Sequence, residues 1–165
     1  MRRRRQEGFS LVELLIVVTI ILILAAIAVP NMLRAHMAAN EASAVGSLRT
    51  LNAANTTYAV TYPEQGFTCA ISDLGPPSGS NLPSSTAAGL IDAGLASGYK
   101  SGYNFTLTNC IAAASSTVNA TYQSTAVPSA VGQSGQRAFC SDQSGATKTD
   151  VGGDASACLA GSTPL

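Results

Sequence analysis

The sequence predicts an α+β fold in which a long N-terminal helix packs on a C-terminal antiparallel sheet. Residues 9–62 follow a helical pattern, apolar on all sides in the first half and amphipathic in the second. Residues 102–110 alternate apolar and polar side chains, which is the pattern of a strand with one buried face. The 165 residues are enough for this helix and one small globular domain.

The first half of the helix is predicted to cross a membrane. Leu14–Val29 contains no charge and a single polar side chain, Thr19. The apolar stretch that starts at Phe9 has the length of about 20 residues that a bilayer requires. Arg2–Arg5 precede it, so the positive-inside rule keeps the N-terminal end in the cytoplasm. Glu13 lies inside the stretch, where a charge needs a partner.

Pro30 separates residues 9–30 from the amphipathic half of the helix, residues 31–62. Proline removes one main-chain hydrogen bond, so we expect a kink or a local loosening at this point. The alternative is that one helix stops at Ala28 or Val29 and a second helix begins after Pro30.

Residues 63–165 are predicted to form a globular β-sheet domain with loops. Residues 63–86 are rich in proline, glycine and serine, which indicates a solvent-facing loop. A short helix is expected from Thr86 to Ser97, with Ser85 as its cap. Four strands are expected after it, and they are Gly102–Cys110, Thr117–Val127, Arg137–Cys140 and Ala146–Val151.

Four cysteines lie beyond the apolar segment, on the side that leaves the cytoplasm. An even number in that setting predicts two disulfides. Three pairings can be drawn, and we favour the sequential one, Cys69 with Cys110 and Cys140 with Cys158. The sequence contains no Cys-x-x-Cys spacing, so a zinc or thioredoxin-like site is not expected.

The composition argues against catalysis and against nucleic-acid binding. Nine basic and nine acidic residues balance, which leaves no basic footprint for nucleic acid. His36, the single histidine, lies on the long helix, and the sequence has neither a Gly-x-Ser-x-Gly elbow nor a glycine-rich phosphate loop. We therefore predict that the protein is not an enzyme and has no catalytic residue and no cofactor.

Three aspartates near the C-terminus form the one candidate metal site. Asp142, Asp150 and Asp154 could bind calcium together with backbone carbonyls, since calcium takes six to eight oxygen ligands. Their spacing differs from that of an EF-hand loop. The favoured interpretation is that they are solvated turn residues beside a disulfide.

The N-terminal features together resemble a known processing signal. Gly8 ends the basic leader, Phe9 begins the apolar segment, and Glu13 follows inside it. This combination resembles the class III signal of type IV prepilins and of the related type II secretion pseudopilins. The resemblance implies that residues 1–8 are a leader, that a prepilin peptidase cuts between Gly8 and Phe9, and that the new amine of Phe9 is methylated. It also implies the pilin fold.

The same resemblance implies a structural role in a filament. The subunit is expected in the inner membrane, with its N-terminus in the cytoplasm, where an assembly platform receives it. After cleavage, Phe9–Val29 helices of many copies are expected to bundle into a homo-oligomeric, extracellular type IV pilus-like filament. Glu13 is expected to pair with the Phe9 amine of an adjacent subunit. In this family a proline at the place of Pro30 lies in a segment that can melt during assembly.

Two alternatives stay open from the sequence. One is a major pseudopilin of a type II secretion system, whose filament is periplasmic. The two disulfides favour a pilus, whereas the aspartate-rich C-terminus favours the pseudopilin, and calcium-dependent thermal stability would separate them. The other is a secreted or membrane-anchored binding module. An ordinary signal peptide, with Leu14–Leu24 as its apolar region and a cut after Ala28, would release such a module.

Overall fold

A computed structural model of the chain describes residues 9–79, 81–114, 116–161 and 163–165. The chain divides into two compact units, residues 1–35 and residues 36–165. Helix α1 (Leu11–Thr61) contributes to both units, and Pro30 lies inside it. The helix therefore continues through Pro30 and does not stop at Ala28 or Val29. The expected kink at Pro30 stays a prediction.

In the second unit, α1 buries one face against the sheet. The fully or almost fully buried apolar residues recur every three or four positions, which places them on one side of a helix, and they are Ala44, Leu48, Leu51, Ala54 and Tyr58. The opposite side of the same stretch carries small, exposed residues such as Ala42, Gly46 and Ala53. This is the amphipathic pattern of a helix that covers a sheet.

The sheet is a six-stranded antiparallel meander in which sequence order equals spatial order. Its strands are β1 (Tyr99–Lys100), β2 (Tyr103–Ala112), β3 (Asn119–Pro128), β4 (Ala138–Asp142), β5 (Lys148–Asp150) and β6 (Thr163–Pro164). The predicted fold class, a long N-terminal helix with an antiparallel sheet, is confirmed. The two-residue edge strands β1 and β6 were not predicted from the sequence.

Strand β2 carries the clearest alternation. Tyr103, Phe105 and Leu107 are buried, whereas Asn104 and Thr106 between them are exposed. The buried side chains join the same hydrophobic cluster as the buried face of α1. Strand side chains alternate between the two faces of a sheet, so the pattern fixes which face of β2 meets the helix.

A tight turn connects β1 and β2. Lys100 pairs with Tyr103, so only Ser101 and Gly102 lie in the loop, with φ of 50° and 74°. Two successive positive φ angles identify a two-residue hairpin of the type that matches the strand twist. A β-carbon at Gly102 would also lie 2.8 Å from the Cβ atom of Ser134, so glycine is required there.

The segment before the sheet differs from the prediction. Residues 63–86 were expected to be a solvent-facing loop, but they contain the short helix α2 (Ile71–Leu74). Ile71 and Leu74 are 8% and 0% exposed and belong to the core. The loop prediction is therefore wrong for this part, because a four-residue helix is too short to show a period.

The helix predicted over Thr86–Ser97 is also shorter than expected. Helix α3 spans only Ala93–Ala96, and Asp92 caps it by accepting a hydrogen bond from the Leu95 amide at 3.0 Å. Gly89 has φ of 69° and interrupts the helical path before that point. The amides of residues 88–91 instead donate to backbone carbonyls of residues 73–75. These hydrogen bonds to the α2 segment thus take the place of the helical hydrogen bonds that the first predicted turns would have made.

Two disulfides tie the second unit together. They join Cys69 to Cys110 and Cys140 to Cys158, which are the sequential pairs. The first connects the segment before α2 to β2. The second connects β4 to helix α4 (Ala155–Gly161), an element that was not predicted from the sequence.

Candidate functional site

The first unit presents an uncovered apolar helix. The large apolar side chains from Phe9 to Leu33 are between 45% and 80% exposed. The most apolar 18-residue window of α1 has a mean hydropathy of 3.1, and none of it is buried. Soluble chains rarely expose contiguous apolar surface on this scale. Among the described residues, one helix, α1, is long and apolar enough to cross a membrane.

The only polar side chain inside the Leu14–Val29 stretch is satisfied locally. The Thr19 hydroxyl donates to the Ile16 carbonyl at 2.8 Å. In an apolar medium every polar group must find such an internal partner, because no water is available. Thr19 is thus compatible with lipid or with the apolar surface of another helix.

Glu13 lies in the first turn of α1, at the N-terminal end of the apolar surface. Its Oε2 accepts a hydrogen bond from the Ser10 amide at 3.0 Å, and the Leu14 amide donates to the Ser10 carbonyl at 3.2 Å. A negative charge at this end is favourable because the first amides of a helix form the positive pole of its dipole. The carboxylate therefore lies where the helix itself supplies a donor and a favourable field.

Of the other residues expected at the processing and assembly site, the structure describes Phe9 and Pro30. Gly8 and the rest of the leader lie outside the described residues. Phe9 is 80% exposed and precedes Glu13 by four residues, about one helical turn. Pro30 is exposed and lies seventeen residues after Glu13 in the same helix, so the structure does not bring it to the Glu13 end.

Ser10 is a residue that the sequence reasoning missed. It occupies the position before the first helical residue, and Glu13 occupies the third helical position. The spacing Ser-x-x-Glu before an apolar run is the signature of a capping box, in which the glutamate accepts the amide of the cap residue. That signature was present in the sequence at residues 10–13.

The three C-terminal aspartates are engaged in local turns. Asp142 accepts the Ser144 amide at 2.9 Å, and the pKa of its carboxyl is lowered mainly by the Ser144 hydroxyl. Asp150 accepts the amides of Gly152 and Asp154, both at 3.0 Å. Among the described residues, no group of three histidines, cysteines or carboxylates is placed to hold a metal ion.

A cleft of about 380 Å³ lies at the C-terminal end of α1 and is lined by side chains from residues 58–73 together with Thr117 and Asn119. Glu64 and Asp73 are its charged residues, and Tyr58 is its tyrosine. The Tyr58 hydroxyl donates to the Ser85 carbonyl at 2.6 Å, so it serves to hold the loop.

Comparison with known proteins places the N-terminal segment in a known class. Residues 3–29 match the family described as the prokaryotic N-terminal methylation motif. Over 38 residues the chain is 55% identical to the type IV wide pilus major component PilA4 of Thermus thermophilus. The N-terminal segment thus carries the methylation motif that is typical of type IV pilin-like prepilins. The resemblance inferred from Gly8, Phe9 and Glu13 is confirmed at this level.

The prepilin similarity is confined to one part of the chain. The aligned 38 residues are 23% of this chain and 29% of PilA4. No solved structure matches the chain. Residues 36–165 are therefore described by their own geometry.

Proposed function

We propose that this protein is a structural subunit of a type IV pilus-like extracellular filament. One observation carries the proposal: the described helical part of the prepilin methylation motif, residues 11–29 of α1, presents an exposed apolar surface. Such a surface needs an apolar environment. Lipid of the inner membrane supplies it before assembly, and helices of other copies supply it in the filament.

Processing at the membrane prepares the subunit. A prepilin peptidase cuts between Gly8 and Phe9 on the cytoplasmic side and methylates the Phe9 amine, and an inner-membrane assembly platform then extracts the chain. Lipid tails are as apolar as leucine side chains, so hydrophobicity alone favours neither the membrane nor the filament. Pairing of Glu13 with the Phe9 amine of an adjacent copy supplies a specific, register-setting contact. Pro30 supplies a weak point at which the helix can loosen during this transfer.

The second unit, residues 36–165, forms the outer part of the filament in this proposal. Its two disulfides suit an oxidising, extracytoplasmic location. Its small, weakly charged side chains suit close packing of many copies. The likeness to a pilus component favours a pilus over a periplasmic pseudopilus.

Mass spectrometry of the N-terminal peptide, from protein purified from its native host, tests the proposal. We expect the mature chain to begin at Phe9 and to carry one additional methyl group on its amine. A chain that begins at Val29 would mean cleavage by an ordinary signal peptidase and would remove the filament helix. That result would overturn the proposed function and favour a secreted binding module.

A further inference from the structure

Glu13 has a hydrogen-bond donor within its own chain, without any neighbouring subunit. The Ser10 amide lies 3.0 Å from Glu13 Oε2. The contact joins the residue before the helix to the third helical residue, as in a capping box. Within the described residues, no lysine or arginine lies within ion-pair distance of Glu13.

The Ser10 amide needs this acceptor. The first amides of a helix have no carbonyl partner in the preceding turn. At the edge of an apolar layer an unpaired amide is more costly than in water, because lipid cannot replace the missing acceptor. A charged carboxylate is a stronger acceptor than a neutral one. Glu13 is the acceptor that the structure gives to this amide.

We propose that the Ser10 backbone amide is a positioning group that holds the Glu13 carboxylate toward the N-terminal end of α1, before and after leader removal. The inference deepens the proposed function and rests on it only for the later pairing with a neighbour. The cap itself forms within one chain. Glu13 thus has two separable roles, as a helix cap and as a charge for assembly.

The geometry connects the cap to the cleavage site. Successive backbone nitrogens lie within about 4 Å of each other, so a carboxylate held on the Ser10 nitrogen lies within about 7 Å of the Phe9 nitrogen. Cleavage converts that nitrogen into the terminal amine. The cap uses Oε2, while Oε1 makes no hydrogen bond among the described residues. The second oxygen is therefore available for an amine.

Three substitutions separate the cap from the charge. Glu13→Gln keeps an oxygen acceptor for the Ser10 amide but removes the charge, whereas Glu13→Ala removes both. Ser10→Ala is the matched control, because it removes the hydroxyl and keeps the amide. The contact that we describe uses the amide and not the hydroxyl.

Hydrogen exchange of the Ser10 amide, measured by NMR on the full-length precursor in detergent micelles, tests the cap. We expect exchange to be roughly fivefold faster in Glu13→Ala, the factor that loss of a typical cap produces. Ser10→Ala should exchange at nearly the rate of the unaltered chain, and Glu13→Gln should exchange more slowly than Glu13→Ala because it keeps a neutral acceptor. Unchanged exchange in Glu13→Ala, or equally fast exchange in Glu13→Gln, would overturn the inference.

Filament formation by the same variants in the native host tests the proposed function separately. Loss of filaments in Glu13→Gln, with slow Ser10 exchange retained, supports both the cap and the charge pairing. Normal filaments from Glu13→Gln would overturn the charge pairing and leave the cap intact. Exchange of the Ser10 amide that is as fast in Glu13→Gln as in Glu13→Ala would overturn the cap, whether or not filaments form.

Discussion

At the scale of single residues, Glu41 links α1 electrostatically to the segment that leads into β4. The residue is only 9% exposed. Oε1 accepts the amides of Gln136 and Arg137 at 2.9 and 3.2 Å, and Oε2 lies 2.8 Å from Arg137 Nη2. Burial alone would raise the pKa of Glu41, but the hydrogen bonds from Gln136 and Arg137 outweigh it and hold the pKa below its ordinary value.

Glu41 therefore predicts an acid-sensitive part of the stability. A lowered folded-state pKa means that the stabilisation is fully present above the ordinary value of 4.5 and is lost as pH falls through the folded-state pKa. Glu41→Gln should lower the free energy of unfolding by about 1.5–3 kcal/mol near neutral pH, the range for hydrogen bonds to a charged group. Urea unfolding across the acid range measures this loss.

A matched control isolates the Glu41 contribution. Glu64 is exposed and lies in the turn after α1, so Glu64→Gln makes the same chemical change without breaking a buried contact. We expect Glu64→Gln to follow the unaltered protein at every pH. In Glu41→Gln the acid-dependent loss should be smaller, since the group that titrates is gone. Equal acid dependence in Glu41→Gln and the unaltered protein would contradict this assignment.

At the scale of elements, the two disulfides differ in exposure. Cys140 and Cys158 are 1% and 0% exposed and lie between β4 and α4, whereas Cys69 is exposed and Cys110 is partly buried. Thiol–disulfide exchange requires access of the attacking thiolate to a sulfur. The Cys69–Cys110 bridge is thus the one that a reductant can reach in the folded protein.

Mild reduction under native conditions should open Cys69–Cys110 first. The bridge closes a sequence separation of 41 residues, so its loss should lower the free energy of unfolding by about 4 kcal/mol on the chain-entropy estimate. Alkylation of the released thiols, followed by peptide mapping and thermal unfolding, measures both effects. A Cys69→Ala/Cys110→Ala variant should show no further change with the same reductant. Earlier alkylation of Cys140 or Cys158 would contradict the prediction.

A helix or strand can be predicted from the sequence when it is long enough to show its hydrophobic period. Strand β2 shows five alternations from Tyr103 to Thr108, and the structure buries the expected side. Helices α2 and α3 have four residues each, which is about one turn, so neither displays a helical period. Their positions depend on the main-chain hydrogen bonds between residues 73–75 and 88–91, which link segments distant in sequence.

Hydrogen bonds between buried polar side chains are a second kind of feature that the sequence alone does not reveal. Asn52 lies on the buried face of α1, where the apolar pattern predicts a hydrophobic residue. Its amide donates to the Ser141 hydroxyl at 2.7 Å, and its carbonyl accepts from Ser124 and Tyr122 at 3.0 and 3.2 Å. The partners come from two strands, β3 and β4. Only the folded sheet brings them together, and a buried amide is stable only with all of them present.

At the scale of the whole molecule, the two units differ in whether they bury their apolar side chains. Residues 36–165 enclose their own core, which includes Leu48, Leu51, Tyr103 and Phe139. The described part of residues 1–35 contributes no fully buried side chain, and its surface is apolar. The processing signal could be predicted from sequence because a short, local motif specifies it. The helix cap at Ser10 is equally local, because the Ser-x-x-Glu spacing of residues 10–13 specifies it.

This division predicts the behaviour of a truncated chain. A chain that starts at His36 keeps every buried residue of α1, because the first of them is Glu41. It should therefore be a folded, soluble monomer without detergent, whereas the full-length chain should need detergent or should associate. Size-exclusion chromatography with light scattering distinguishes these states.

The matched control for the truncation is a chain that starts at Ser43, which lacks Asn40 and Glu41. Asn40 donates to the Ser134 carbonyl at 2.8 Å, and Glu41 holds Gln136 and Arg137. Losing these contacts should lower the melting temperature by at least about 5 °C, because a loss of 1 kcal/mol shifts a domain of this size by a few degrees. Equal melting temperatures of the two truncated chains would contradict the stabilising role given to Asn40 and Glu41. Aggregation of the chain that starts at His36 would show that the second unit depends on residues before it.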